Sequence, residues 1–367
     1  MRALPSSLKQ DLRGRYHPDL AYADVEGLNF SALTFEIISR LRRQTGWTQT
    51  MARNRWFQRN VAAYLSSYRF SVIGSQCIVF AYSYAARDIF RVAKQRGWRT
   101  VLGQIDPGPV EEKIVTEEVA CESELGATWQ PAPQAYWDLW REECNVADQI
   151  VANSEWSKSA LEEAGVSPAK IRVIPLAYER PVETNIFKRS YPDEFDETRP
   201  MRVLFLGQIN LRKGVARLLK AIRLLENEPI EFQFVGPVQL SIPHDIQNNP
   251  RLRWFGAVSR SDVDTFYRSA DVLIFPTLSD GFGLTQLEAQ AWSLPIIASR
   301  FCGEVVRDGV NGIALNELSP DAISAALRSC VCQAARLRTF AANAVRADRF
   351  NLKAVAENSL RLFDSAV

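Results

Sequence analysis

Two carboxylates, two cations and a set of glycine turns between residues 207 and 288 hold most of the chemistry legible in this 367-residue sequence. The segment Gly207-Gln-Ile-Asn-Leu-Arg-Lys-Gly214 leads an apolar run into an amphipathic one. Gly207 lets the backbone turn, Gln208 follows it, and Arg212 and Lys213 stand at a helix start, where free N–H groups already favour an anion. Two cations on the positive end of a helix suit a diphosphate. A plain polar loop with two solvated cations is the alternative. A Walker A loop is excluded by the glycine spacing and by the missing final Ser or Thr.

A second loop, Pro276-Thr-Leu-Ser-Asp280-Gly-Phe-Gly283, opens the helix Leu284-Thr-Gln-Leu-Glu288. Gly281 and Gly283 permit close backbone approach, so the N–H groups of Phe282, Gly283 and Leu284, with Thr285 next in the helix, can face a phosphate. Asp280 and Glu288 can flank the same ligand, one near a sugar and one near a ribose diol, because a carboxylate accepts two hydroxyl hydrogens. An Asp before a glycine is also common turn chemistry. A third loop, Arg300-Phe-Cys-Gly-Glu-Val-Val-Arg-Asp308-Gly-Val-Asn-Gly312, has Asp-Gly and Asn-Gly as hairpin signals and can line the same cleft. Asp262-Val-Asp264 has the spacing of a metal-binding DxD, but it follows Ser261 and opens a helix, where acids complement the dipole. The expectation is therefore no metal site, with leaving-group charge neutralised by Arg212, Lys213 and helix N-termini.

These loops need strands and helices to hold them, and the periodicity supplies both. From about residue 71, short apolar runs alternate with amphipathic stretches: strands over 71–80, 100–105, 149–152 and 171–176, helices over 84–97 and 154–164, and one long acidic helix after the loop Asp106-Pro-Gly-Pro109. Ser154 can cap the helix that follows it. Residues 181–200, with Pro181, Pro192 and Pro200 among acids, lack apolar periodicity and read as a linker. A stronger series begins at Met201, with strands over 201–207, 230–235, 253–255, 271–275 and 295–298 and helices from 214, over 262–270 and over 284–292. Strands separated by helices imply parallel sheets, so the expected class is α/β with two Rossmann-like domains facing across a cleft. Ligands favour the carboxyl ends of such strands, which makes Gln104 and Asp106, at a strand end of the first half, candidates for the opposite side of the cleft. The opening MRALPSSLKQDLRGRYHPDL has neither the strand nor the glycine loop that usually begins such a domain.

Bulk composition narrows the class further. Apolar residues make up 47% and charged residues 23%, an ordinary globular mixture. A net charge of +2 gives no reason to expect nucleic acid as a partner. The first 100 residues carry 16 Lys/Arg against 6 Asp/Glu, and Arg87, Arg91 and Lys94 fall on one helix face. This stripe suits an acidic acceptor or an anionic membrane surface, with a solvated face as the alternative. Six scattered cysteines without a CxxC, and two histidines, argue against zinc and for a reducing, cytoplasmic setting. The most apolar window, residues 70–86, is too short and too polar for a membrane span.

With these residues in place, a resemblance is visible. The stretch 271–315 (DVLIFPTLSDGFGLTQLEAQAWSLPIIASRFCGEVVRDGVNGIAL) resembles the signature of the retaining glycosyltransferases of family 4, which share the GT-B fold. VLFLGQINLRKGVARLLKAIRLL and ADQIVANSEWSKSALEEAGVSPAKIRVIPLAYE resemble the same family's first donor-domain unit and its interdomain approach. The resemblance implies an acceptor-side domain over 1–180, a linker over 181–200, a nucleotide-sugar donor domain over 201–345, and a C-terminal helix within 346–367 packing back on the first domain. It implies that Glu288 binds the donor ribose, that Asp280, one methylene shorter than the family's usual glutamate, contacts the transferred sugar, and that Lys213 contacts the donor phosphates. Gln208 stands where many members carry a phosphate-binding arginine, a loss that Arg212 can offset. Ser293 replaces a common glycine. The family's opening strand and acceptor-side histidine have no counterpart, so either the chain starts internally or its acceptor side is rebuilt. The expected activity is metal-independent, retaining transfer from a UDP- or GDP-linked sugar to a glycan or lipid-linked acceptor, without a cofactor, in the cytoplasm or at the inner face of the membrane. The alternatives are a catalytically weak scaffold that binds a sugar nucleotide or a protein partner, and a phosphorylase or epimerase on the same fold.

Overall fold

Short apolar runs such as Val272–Phe275 and Ile296–Ser299 become strands buried on both faces. The computed structural model describes residues 21–67, 77–344 and 348–364. The opening twenty residues and the first part of the strand expected over 71–80 lie outside the described residues. Residues 1–68 and 69–367 form two compact units.

The first unit contains α1 (Asn29–Leu41) and α2 (Gly46–Ser67). Phe35 stacks on Trp56 at 5.3 Å, and the Trp56 indole donates to the Ser31 hydroxyl at 3.1 Å.

The second unit holds both sheets. The first is parallel, in the order β1-β2-β3-β4, with β1 (Ile78–Tyr82), α3 (Arg87–Gln95), β2 (Arg99–Gln104), α4 (Pro109–Cys121), α5 (Gln134–Val146), β3 (Gln149–Ala152), α6 (Glu155–Glu163) and β4 (Ile171–Val173). The single acidic helix expected after Pro109 is two helices. Gly126 adopts a left-handed φ of 57°, and Pro131 and Pro133 follow, so the first helix stops and α5 starts afresh. The stripe Arg87, Arg91, Lys94 also differs from expectation. Arg87 and Arg91 pair with Asp88 and Glu142, and Lys94 pairs with Asp148, so this face is an ion-pair seam and not an open basic surface.

The second sheet has the order β10-β9-β8-β5-β6-β7 and is parallel throughout. Its elements are β5 (Met201–Leu206), α7 (Val215–Arg223), β6 (Ile230–Val235), α8 (His244–Gln247), β7 (Leu252–Gly256), α9 (Val263–Ser269), β8 (Val272–Phe275), α10 (Thr285–Ala291), β9 (Ile296–Ser299) and β10 (Gly312–Leu315), followed by α11 (Pro320–Cys332), α12 (Ala334–Ala342) and α13 (Leu352–Asp364). β8 and β9 are buried at every residue, as expected for strands covered on both faces. The Asp-Gly and Asn-Gly turns after β9 do not make a hairpin. The chain beyond them returns as β10, which pairs with β9 in parallel.

Residues 181–200 are tied to the second sheet's domain. Arg189 donates to the carbonyls of Tyr267, Ala270 and Trp292, and Arg199 pairs with Asp271 at 2.7 Å. The chain end crosses back: Leu362 and Val355 of α13 pack against Val101, Val151 and Ile174 of the first sheet. All six cysteines are free thiols. Among the described residues no helix is long and apolar enough to cross a membrane.

Candidate active site

The loop 207–214 follows β5, and the loop 276–283 follows β8, the strand beside β5 in the sheet. Their strands end on the same sheet edge, so the loops meet. The Leu278 N–H and the Thr277 hydroxyl both donate to the Arg212 carbonyl, at 2.9 and 3.2 Å. Gly214, left-handed at φ 71°, sits so close that a Cβ there would lie 1.8 Å from the Pro276 carbonyl oxygen. Only glycine allows this approach.

The meeting of loops brings charge together. Lys213 Nζ pairs with the Asp280 carboxylate, each side chain 15% exposed, and Arg212 Nη1 lies 3.8 Å from the same carboxylate. Arg212 also donates to the Ser279 carbonyl at 3.2 Å. Gln208 is exposed, and its side-chain oxygen accepts from Asn210. Glu288 stands apart from this cluster on α10, where the Tyr267 hydroxyl donates to its Oε2 at 2.6 Å. Burial and the neighbouring Glu288 raise the Tyr267 phenol well above its usual range, so it stays a donor.

Other members of the set divide by burial. Phe282 is 2% exposed and packs on Leu287, Val305 and Phe350. Gly283 precedes α10, Leu284 is 40% exposed and Thr285 begins the helix. The third loop buttresses the second: the Asp280 N–H donates to Phe301, and the Gly303 N–H to Phe282.

The first domain reaches directly into this region. Ser154 caps α6 by accepting from the Ser157 N–H, as its position predicts, and both hydroxyls also donate to the Gly281 carbonyl, at 2.7 and 3.2 Å. The Trp156 indole donates to the Ser279 hydroxyl at 3.1 Å. Gly281 lies so close to the β2–α4 loop that a Cβ would come 2.2 Å from the Ile105 carbonyl oxygen. The residues flanking Asp280 are thus held by both domains.

Asp106 stands beside Ile105. Its Oδ1 accepts from the Tyr84 hydroxyl, Gln104 Nε2 and the Gly108 N–H, while Gln104 Oε1 accepts from the Trp140 indole. Gln104 is 1% exposed, so it acts by holding Asp106. Burial pushes the Asp106 carboxyl up against these hydrogen bonds. Tyr84, at φ 74°, stacks on Tyr136 at 4.8 Å and is fixed by its N–H donating to Glu143.

The sequence reading passed over Glu111, Tyr267, Trp156 and the second role of Ser154. Glu111 looks like any acid in a first helical turn, and Tyr267 lies on a short helix with no flanking motif. Helix α4 carries Glu111 and Glu118 toward the second domain, with Glu122 just past its end: Arg212 lies 3.9 Å from Glu111, Arg217 pairs with Glu118 at 2.7 Å, and Lys220 with Glu122.

Comparison with known proteins agrees with this geometry. Residues 14–180 match the family described as Glycosyltransferase Family 4, and residues 200–333 match Glycosyl transferases group 1. The chain is 28% identical over 253 residues to D-inositol 3-phosphate glycosyltransferase of Kineococcus radiotolerans, covering 60% of this chain and 58% of that protein. It spans about half the length of the curated relatives it matches. Among solved structures it is similar to HepE of Anabaena in complex with UDP-glucose (TM-score 0.60, 18% identity, 84% of this chain and 82% of that one). It is also similar to sucrose-phosphate synthase of Thermosynechococcus elongatus (TM-score 0.62, 18% identity, 85% and 78%). With both sheets, the facing loops and two family matches that together run from residue 14 to residue 333, the chain belongs to the family 4 glycosyltransferases of GT-B fold.

Proposed function

We propose that this chain is a retaining, metal-independent glycosyltransferase that moves a sugar from a UDP- or GDP-linked donor to a hydroxyl of a glycan or lipid-linked acceptor. The observation that carries the reading is the cluster of Lys213, Arg212 and Asp280 on two loops of one sheet edge, pressed against the first domain.

The diphosphate lies on Lys213 and Arg212, whose fixed positive charge stabilises the leaving group as the glycosidic bond breaks. Gln208 and the start of α10, from Phe282 to Thr285, border the same phosphates. Glu288 accepts from the ribose diol with its oxygen not taken by Tyr267. Asp280 faces the sugar, where positive charge develops during transfer. Asp106, braced by Gln104 and Tyr84, lies on the acceptor side. The acceptor hydroxyl attacks from the face on which the diphosphate departs, and the two domains hold both reactants in register. The proposed setting is the cytoplasm, or the inner face of the membrane for a lipid-linked acceptor.

The test is a panel of UDP-, GDP- and ADP-sugars, scored by thermal shift and by release of nucleoside diphosphate, with and without EDTA, and by the anomeric configuration of the product. One donor family is expected to stabilise the chain and to turn over regardless of chelator, with the anomer retained. Absence of both stabilisation and release with every donor refutes the reading.

A further inference from the structure

One acid at the junction of the domains has no part in the reading above. Glu111 stands in the first turn of α4, after Pro109 opens the helix. Its side chain is 15% exposed, and its Oε2 has no hydrogen-bond partner. The nearest cation, Arg212 Nη1, is 3.9 Å away, beyond hydrogen-bonding distance. The Ser279 side chain bonds to the same carboxyl group, and Ser279 itself is held by the Trp156 indole from the first domain. An enclosed carboxylate oxygen without a donor is unfavourable until a ligand supplies one.

The chemistry of that ligand is constrained by its surroundings. The groups facing Glu111 are Asp106 from its own domain and Arg212, Ser279 and Asp280 from the other. A phosphate would be repelled by the three carboxylates and belongs on Lys213 and Arg212. A neutral hydroxyl donates without adding negative charge. Ser279 is the neighbour of Asp280, which puts Glu111 at the sugar end of the donor loops. Resting on the transferase reading, we propose that Glu111 accepts a hydrogen bond from a hydroxyl of the transferred sugar and so determines which sugar is moved. The first domain then reads the donor directly, through one residue.

Burial pushes Glu111 up to about 7, opposed by Arg212 and reinforced by Asp106 and Asp280. As pH falls through that value the group takes a proton and stops being a pure acceptor, so sugar discrimination weakens toward acid.

The experiment uses the full chain with its best donor and with donors whose sugar lacks or inverts one hydroxyl. It compares wild type with Glu111→Gln, which keeps the shape, and Glu111→Ala. For the best donor, kcat/KM is expected to fall ten- to hundredfold, and its ratio over the poorest sugar to shrink at least tenfold. Calorimetric binding of the bare nucleoside diphosphate is expected to stay within twofold. The pH dependence of the sugar ratio near 7 is expected to vanish in Glu111→Gln. A sugar ratio unchanged within twofold in both variants, with melting temperatures like wild type, overturns the inference and leaves the transferase reading standing. Equal weakening of bare diphosphate and sugar donor also overturns it, because Glu111 would then act through Arg212 on the phosphates. A wild-type chain that turns over no donor overturns the transferase reading itself.

Discussion

Replacing Lys213 by methionine tests the phosphate site with little disturbance to the fold. Lys213 Nζ lies over the Phe275 ring, 5.2 Å from its centre, and methionine, whose sulfur also packs well on aromatic rings, removes the charge at similar size. In the ligand-free chain the change leaves Asp280 with Arg212, at 3.8 Å, as its remaining ion-pair partner among the described residues. In the donor complex it removes one charge-assisted contact to the diphosphate, worth about 1.5–3 kcal/mol. At about 1.4 kcal/mol per factor of ten, kcat/KM should fall roughly ten- to 150-fold. Calorimetry separates the cause: affinity for the nucleoside diphosphate should drop by a similar factor, and affinity for the nucleoside, which lacks phosphates, should hold within twofold. Turnover within twofold of wild type would return residues 207–214 to the status of a polar loop. Equal loss for nucleoside and diphosphate would mean that the substitution had deformed the domain.

Three further outcomes follow from the same geometry. Asp280→Asn should lower kcat more than it raises KM, and Glu288→Gln should mainly raise KM, because only Asp280 faces developing charge; steady-state kinetics giving the two variants the same signature would contradict the assignment. Ser154→Ala removes the 2.7 Å bond to the buried Gly281 carbonyl and the α6 cap, a loss of about 1–3 kcal/mol that should appear as a lower melting temperature and a several-fold lower kcat; unchanged kcat would detach the clamp from Asp280. Ser293→Gly should stabilise the chain by about 0.5–1 kcal/mol in chemical denaturation, since Ser293 sits at φ 51°, where a side chain is strained, and no gain would mean that the strain is relieved locally.

Ser293 also illustrates what the sequence made legible and what it did not. Residue types alone show only that Ser293 replaces a glycine common in the family; the backbone there is left-handed, with the Leu294 N–H closing back on Ala289 after α10. Strands were easy to read, because β5, β6, β8 and β9 are short, mostly apolar runs, of which β8 and β9 are buried at every residue. The chemistry of residues 207–214 and 276–288 was readable because glycines, cations and acids are close in sequence. Contacts between distant segments left no local trace. Ser154 and Gly281 are 127 residues apart, and nothing in either segment announces the hydrogen bond between them. Glu111 is one acid among several on α4, and only the fold shows which one faces Arg212. The break between α4 and α5 went unread because the acidic composition runs across it, although Gly126, Pro131 and Pro133 mark it.

The charge balance at the junction gives the site an order of events on the transferase reading. Without ligand, Lys213 pairs with Asp280 and Arg212 lies 3.8 Å from the same carboxylate, while Glu111 Oε2 has no hydrogen-bond partner. A diphosphate recruits the cations and leaves Asp280 short of partners in a partly buried place, which is costly. The sugar attached to that diphosphate carries hydroxyl donors, and it arrives where those carboxylates lie. A complete donor therefore restores the balance that its own phosphates disturb, while a bare diphosphate does not. Selectivity for the intact nucleotide sugar over the spent nucleotide then comes from acids supplied by both domains. It also explains physically why Asp280 is bound to Lys213 before substrate enters: the pair holds the acid in position until the sugar replaces the lysine.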